Sequence, residues 1–245
     1  KTVFMYIFFK KNKPTINNIY FNNIIINEVE CHSNLGLTID NKLSWKQHID
    51  TLSNRVNKRI NILNYYKLLL PRCILNNIYS SFIRPLFDYA DIIYDNMSLD
   101  QSLKLKNVQR RAALVCTGGY KLTRQGSLLR ELEWDPLSTR RANHRLTHYF
   151  KILHGLVPSY ILSLIPPPRI DQTNYNLRNR NHYTLPKCRL AIRQKSFFPK
   201  TTRDWNNLPE HIKDSESLSI FKHHLHHTKT NSHYIDIHRG KGGSG

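Results

Sequence analysis

The apolar residues of this chain change their spacing close to Asp40. Before it, β-branched and aromatic residues come in short runs separated by Asn, Lys and Pro, which is typical of short antiparallel strands. After it, apolar residues from Trp45 to Leu63 recur at steps of three and four, the period of one face of an α-helix. Ser44 and Gln47 form a capping-box pattern where this helix should begin. The chain is therefore predicted to be mainly α, with a small N-terminal antiparallel β remnant.

Helical spacing continues through most of the remaining chain, with Gly and Pro as punctuation. Pro71 suits a first helical position, and we expect Pro85 to interrupt the helix that begins there. Gly118 should end a third helix and Gly155 a later, longer one. The remaining predicted elements are helices at 105–115, 128–132, 141–154, 201–207 and 218–227, an irregular loop at 166–188, and a weak strand at 189–193.

The charge of the chain points to a polyanion as its partner. Its 37 Lys and Arg outnumber 17 Asp and Glu, which gives a formal net charge of +20. Cations that meet phosphates release condensed counterions, and this favours nucleic acid as the partner. No run approaches the roughly 18 apolar residues that a membrane span needs, so we expect no membrane partner.

Two segments carry most of this excess. Residues 101–150 contain ten Lys or Arg and three acids, and residues 178–204 contain eight and one. A solvated helix face is the ordinary interpretation of any single cation among them. Together they favour two phosphate-facing surfaces.

The cysteines indicate the compartment. Cys31, Cys73, Cys116 and Cys188 are scattered without a Cys-x-x-Cys pair, which argues against a disulfide framework and an ordinary zinc site. We therefore predict an intracellular protein of the nucleus or cytoplasm.

Candidate catalytic and metal-binding residues are few. Tyr89, Ala90 and Asp91 match the start of the Tyr-x-Asp-Asp signature of reverse transcriptases, but Ile92 stands where the second Asp is required. Two-metal polymerisation needs a convergent carboxylate pair, so we predict no catalytic residue in this chain. The histidines at 223–227 lack a Cys or carboxylate at the usual spacing, and we interpret them as an exposed helix end rather than a metal site.

Several strings carry a family resemblance through their order and spacing. They are NLGLTIDNKLSWKQHI (34–49), YSSFIRPLFDYADIIY (79–94), LKNVQRRAAL (105–114), LLRELEWDPLSTRRANHRLTHYFKILHGLVPSYI (128–161), YNLRNR (175–180), RQKSFFPKTTRDWNNLP (193–209) and SLSIFKHHL (217–225). In this order they resemble the C-terminal part of jockey-like, LINE-type reverse transcriptases of non-LTR retrotransposons. The opening KTVFMYIFFKK resembles the segment that follows the catalytic hairpin of that family, so the Asp pair would lie upstream of Lys1.

The resemblance implies a domain organisation. Residues 1–40 would be the last strands of the palm, 41–120 a helical thumb, and 121–230 a basic C-terminal helical domain. The composition at the end of the chain, and not the resemblance, predicts a flexible tail at 231–245. The resemblance further implies a fragment of an RNA-directed DNA polymerase that binds template, primer and RNA. The partners would be RNA, an RNA/DNA duplex and the upstream catalytic half of the same polyprotein. No cofactor is expected in this fragment, and Mg²⁺ is expected for the complete polymerase.

The residues expected to contact nucleic acid fall into three groups. The first choice is the polar side of the helix at 45–63; the second is a set of arginines further on; the third lies in the irregular loop. These residues are Lys46, Arg55, Lys58 and Arg59, then Arg110, Arg111, Arg140, Arg141 and Arg145, and then Arg178 and Arg180. In the loop, Tyr175 and Tyr183 are candidates to stack on unpaired bases, with core packing as the equal alternative.

Other functions stay open at this point. The main alternative is a stand-alone or domesticated nucleic-acid-binding module without a polymerase role. A protein whose helices form a protein interface, and whose charge only keeps it soluble, is a third.

Overall fold

A computed structural model of the chain describes residues 2–9, 17–168 and 182–227, and within these residues the fold is mainly helical with small sheets, as predicted. The chain divides into two compact units. The first comprises Lys1–Ala90 and Met97–Leu137, and the second comprises Asp91–Asn96 and Ser138–Gly245.

The strands of the first unit pair two by two. They are β1 (Val3–Phe4), β2 (Tyr20–Phe21), β3 (Ile24–Ile25), β4 (Asn27–Glu28), β5 (Cys31–Asn34) and β6 (Leu37–Asp40). The β2–β3 and β5–β6 pairs are antiparallel hairpins, as predicted. The β1–β4 pair is parallel, with Val3 opposite Asn27, so the prediction of antiparallel pairing is wrong there. Parallel strands need a long connection, and the chain between Phe4 and Asn27 supplies one.

Helices make up the rest of the first unit. They are α1 (Lys46–Tyr66), α2 (Arg72–Ile78), a π-helical turn (Tyr79–Ile83), α3 (Arg84–Asp88), α4 (Leu99–Thr117) and α5 (Gln125–Glu131). Gly118 ends α4 with a φ of 69°, as its position predicts.

The start of α1 differs from the predicted capping box. Its N-cap is Trp45, with a φ of 62° and no side-chain cap. The Asp40 carboxylate instead accepts hydrogen bonds from the backbone N–H groups of Ser44 and Trp45, at 3.0 and 2.9 Å. The Ser44 hydroxyl accepts from the backbone N–H of Lys46 at 3.4 Å, and not from that of Gln47 as the capping box predicted.

The prediction that Pro85 interrupts its helix is wrong. The backbone continues from α2 through the π-helical turn into α3, and the N–H of Arg84 donates to the carbonyl of Tyr79, five residues back. Proline lacks an N–H and crowds the preceding turn. The wider π turn directly before it accommodates both defects, so the chain stays helical to Asp88.

The segment after α5 belongs to the first unit. The Trp134 ring stacks on Tyr79 with 3.5 Å between centroids, and its Nε1 donates to Asn76 at 2.6 Å. Gln109 in α4 donates to the backbone oxygen of Asp135 at 2.8 Å. These contacts place the boundary between the units after Leu137, whereas the sequence had suggested a boundary at 120.

The second unit is built around α6 (Leu137–Leu153), which enters it at Ser138. Its shorter helices are α7 (Ser159–Leu162), α8 (Ala191–Gln194), α9 (Phe197–Asn206), α10 (Glu210–Lys213) and α11 (Leu218–His227). The predicted strand at 189–193 is wrong, because α8 occupies most of it. Gly155, with a φ of 65°, follows the end of α6.

Aromatic rings fill the core of the second unit. Phe150 of α6 stacks on Phe221 of α11 at 4.5 Å, and Tyr149 lies 5.3 Å from Trp205 of α9. Tyr183 packs edge-on against Tyr149 at 6.1 Å, with its backbone N–H bonded to Asn206. Of the two tyrosines considered for base stacking, Tyr183 is therefore part of the core packing, and Tyr175 lies outside the described residues.

Candidate nucleic-acid interface

The four cations predicted on α1 lie on different sides of that helix. Its core face is set by residues such as Ile49, Val56 and Ile60. With about 3.6 residues per turn, Lys58 projects opposite this face, whereas Arg55 and Arg59 share one flank and Lys46 begins the other. Arg55 and Lys58 are exposed. The resulting surface is a basic ridge of Arg55, Lys58 and Arg59.

Arg59 is held in place by Phe82 of the π-helical turn. Its guanidinium lies 3.9 Å from the centroid of the Phe82 ring and donates to the Phe82 backbone oxygen. A cation over an aromatic face is attracted by the ring quadrupole and keeps its charge. Arg59 is thus oriented without being neutralised.

Arg111 of α4 reaches across to α1 on the opposite flank from Arg59. Its Nη1 donates to Asn57 Oδ1 at 2.9 Å, and its Nη2 donates to Asn61 Oδ1 at 2.5 Å. Both partners are neutral amides and the side chain is exposed, so its positive charge remains available to an anion.

A shallow groove of about 520 Å³ runs beside Arg111 between α1 and α4. Its lining residues are Asn57, Asp100, Leu103, Lys104, Asn107, Val108 and Arg111. Lys104 forms an ion pair with Asp50 at 2.6 Å, and both side chains are exposed. The groove thus contains one cation with a carboxylate partner and one with amide partners.

Arg110 organises the chain after α4. It donates to the backbone oxygens of Lys121 and Thr123, the latter at 3.2 Å. Carbonyl partners leave its charge intact, although the side chain is half-buried. Arg110 therefore positions this loop and adds positive potential to the first unit.

Arg141 and Arg145 have a different environment from the one predicted. Both lie on the buried side of α6, only 6 and 3% exposed, against the carboxylate of Asp95. Arg141 Nε lies 2.9 Å from Asp95 Oδ1 and Arg145 Nε lies 2.8 Å from Asp95 Oδ2. So little of their surface remains that a phosphate could reach them only if this cluster opened.

Two further residues complete this group, which we call the Asp95 cluster: Asp95, Arg141, Arg145, Lys200 and Asp204. Lys200 Nζ lies 2.6 Å from Asp95 Oδ2, and Arg145 Nη1 lies 2.9 Å from Asp204 Oδ2. The Arg145 nitrogens are at ion-pair distance without hydrogen-bond alignment. Three cations thus share two carboxylates inside the second unit.

The pKa values of the Asp95 cluster are shifted by this arrangement. Burial alone would raise the pKa of Asp95, but Arg145, Lys200 and Arg141 together lower it below its ordinary value. The pKa of Lys200 is also lowered, because burial and the charge of Arg145 outweigh the attraction of Asp95. The cluster thus favours the charged form of Asp95 and disfavours the charged form of Lys200.

The remaining predicted residues contribute less to this picture. Lys46 is exposed at the first turn of α1, and Arg140 is half-buried near the start of α6. Arg178 and Arg180 lie outside the described residues.

A second buried carboxylate of the same unit, Asp91, has a partner that the sequence analysis did not predict. Asp91 Oδ2 lies 2.6 Å from Nδ1 of His144 on α6, and Asp91 itself is only 3% exposed. One turn further along α6, partial desolvation and the charges of Lys151 and His144 lower the pKa of His148, although its side chain still reaches solvent. Spacing gave a partial signal for the buried arginines: Arg145 and Arg141 stand four and eight residues before Tyr149, on the row of α6 that packs into the core.

Comparisons with models of protein families, with curated proteins and with solved structures found no match to this chain. Within the described residues, every helix is too short or too polar to cross a bilayer.

Proposed function

We propose that this chain binds a nucleic-acid duplex through the first unit, as the non-catalytic part of a LINE-type RNA-directed DNA polymerase. The observation that carries the binding proposal is the way three arginines of this unit are held. Arg59 lies over an aromatic ring and donates to a carbonyl oxygen. Arg110 donates to carbonyl oxygens, and Arg111 donates to two side-chain amides. Such partners fix the guanidinium and leave its charge for a phosphate.

The geometry suits a backbone contact rather than base readout. Arg111 presents a planar fork whose two donors already meet two oxygens, those of Asn57 and Asn61. Two oxygens of a phosphate can accept these hydrogen bonds in place of the two amide oxygens. The amides are then hydrated by solvent. With Arg55 and Lys58 exposed on α1, the surface offers several cations to one backbone. Phosphate contacts of this kind position a duplex without reading its sequence.

The polymerase assignment rests on the family strings, and the binding proposal stands without it. A domesticated nucleic-acid-binding module would use the same surface. The coding sequence upstream of Lys1 would distinguish the two hypotheses. A reading frame there that encodes the Asp pair would favour the polymerase. Primer extension by the present chain, with Mg²⁺ and deoxynucleotides, would contradict a non-catalytic role. A template–primer ligand also accords with a place in the nucleus or cytoplasm.

The binding proposal is tested by fluorescence anisotropy with a labelled RNA template and DNA primer duplex across a salt series. Each lost phosphate contact should reduce the slope of log K against log salt by about 0.9 for a B-form duplex. We expect Lys58→Gln with Arg111→Gln to weaken binding and to flatten the slope by roughly two contacts.

A matched control removes two positive charges that already have carboxylate partners. Arg72 pairs with Glu131 at 2.6 Å and Lys213 pairs with Glu210 at 3.0 Å. Arg72→Gln with Lys213→Gln should leave the slope nearly unchanged. Equal weakening by both double variants would mean that total charge, and not this surface, drives binding.

A further inference from the structure

Two histidines of the second unit share one face of α6. His144 and His148 are four residues apart, which puts their side chains one above the other on a helix. His148 is exposed, and the side chain of His144 is 35% exposed. The charge of His144 contributes to lowering the pKa of His148.

Asp91 determines how the His144 ring is oriented. The side chain of Asp91 is 5% exposed, and its Oδ2 lies 2.6 Å from His144 Nδ1. A carboxylate can only accept a hydrogen bond from the neighbouring ring nitrogen. The neutral His144 ring therefore carries its hydrogen on Nδ1. The lone pair of His144 then lies on Nε2, the ring nitrogen that does not face Asp91.

A carboxylate behind one imidazole, and a second imidazole one helical turn away, is the arrangement that metal-binding histidines use. We propose that His144 Nε2 and His148 bind a divalent transition-metal ion of the Zn²⁺ type, with Asp91 as the carboxylate that orients His144. Imidazole nitrogens suit Zn²⁺ and its neighbours better than the hard ions Mg²⁺ or Ca²⁺. Water would complete the coordination, which leaves the site open to a further ligand.

Some charges near this site favour a bound cation and others oppose it. The buried Asp91 supplies negative charge behind His144, whereas Lys151 and Lys222 place positive charge near His148. The two lysines oppose a cation, so the site depends on coordination by the two histidines, four residues apart on α6, for its affinity. This inference is independent of the proposed nucleic-acid function.

The test is zinc titration of the untagged full chain by isothermal calorimetry, in a buffer that does not bind zinc. We expect one equivalent to be lost, or its affinity to fall at least about tenfold, in His144→Gln with His148→Gln. Asp91→Asn keeps the shape of the side chain but removes its charge, and should weaken the same equivalent by about 10 to 100-fold. Zinc should also raise the melting temperature of the wild-type chain and not that of the double-histidine variant.

The histidine-rich end of α11 provides the matched control. His223→Gln with His226→Gln removes two histidines outside the proposed site and should leave the equivalent in place. Loss of zinc binding in this control, or unchanged binding in the His144 and His148 variant, overturns the proposal. Circular dichroism identifies any variant that fails to fold, and the two histidine double variants then decide the question without Asp91→Asn.

Discussion

Arg111 of the first unit and Arg145 of the second were both expected to meet phosphate, and they have opposite surroundings. Arg111 is exposed and donates to the amide oxygens of Asn57 and Asn61. Arg145 is 3% exposed and lies between the carboxylates of Asp95 and Asp204. The same side chain serves as an available charge in one unit and as part of the interior in the other.

The difference lies in the partner that each arginine meets. A neutral amide orients a guanidinium and leaves its net charge, whereas a carboxylate cancels it and allows it to be buried. Counting cations along a segment therefore overestimates the charge that a unit offers to nucleic acid. In the second unit, two of the predicted contacts are used to hold α6 beside the segment Asp91–Asn96.

The largest expected effect comes from Asp95→Asn. The change leaves Arg141 and Arg145 buried without their shared carboxylate, and breaking a buried ion pair from one side costs about 3–5 kcal/mol. We expect this loss in the free energy of unfolding, measured by urea denaturation followed by circular dichroism.

Asp50→Asn is the matched change in the first unit, because Asp50 pairs with Lys104 at the same 2.6 Å that separates Lys200 from Asp95. Both side chains of the Asp50 pair are exposed, so the expected cost is about 1 kcal/mol or less. Equal losses in the two variants would remove the distinction between buried and exposed charges drawn above.

Acid should weaken the Asp95 cluster in a defined direction. The pKa of Asp95 is lower in the folded protein than in the unfolded chain, so its contribution is fully present above the unfolded value of about 3.9. It is lost as the pH falls through the folded pKa. The difference in unfolding free energy between wild type and Asp95→Asn should therefore be constant near neutral pH and shrink below about pH 4. A constant difference down to pH 2 would contradict this prediction.

Trp134→Phe tests a hydrogen bond of the first unit that involves no charged group, for comparison with the ion pairs of the Asp95 cluster. Phenylalanine keeps a ring against Tyr79 but loses the Nε1–H that donates to Asn76 at 2.6 Å. The expected loss is about 1–2 kcal/mol, because Asn76 is left without this donor. Since neither partner titrates, the loss should be the same at pH 5 and pH 8. A double-mutant cycle with Asn76→Ala separates the hydrogen bond from the change in ring size.

Lys200→Met should have a small effect, although Lys200 belongs to the Asp95 cluster. Three cations share two carboxylates there, and the lowered pKa of Lys200 shows that burial and the charge of Arg145 disfavour its charged form. Replacing it with an apolar side chain of similar length should change the unfolding free energy by less than about 1 kcal/mol. A loss comparable to that of Asp95→Asn would mean that all three cations are required.

The sequence predicted those parts of the fold that depend on neighbours along the chain. The helices at 45–63 and 218–227 follow from local spacing, and Gly118 and Gly155 follow from the backbone conformation needed after a helix. The Asp95 cluster depends on residues far apart in sequence, since Asp95 lies 46 residues before Arg141. Nothing near Arg141 indicates which acid it will meet.

The candidate interface was predictable to the same extent. Exposure of Arg55 and Lys58 follows from their place opposite the apolar positions of α1. The amide partners of Arg111 could not be predicted, because they require the register between α1 and α4. The Asp91 and His144 pair was missed for the same reason, although the spacing of His144 and His148 was visible in the sequence.

The π-helical turn at Tyr79–Ile83 accommodates one residue more than a regular α-helix would need in this part of the first unit. A π turn closes its hydrogen-bonded ring with one residue more than an α turn. Deleting Ser80 would let the segment return to α-helical bonding, and the residues after it would keep nearly the same direction around the axis, because the extra residue is the one removed. Phe87, now 3% exposed, would then stay in the core. The cost of the deletion would fall on Pro85, whose ring would meet the regular α-helical turn before it.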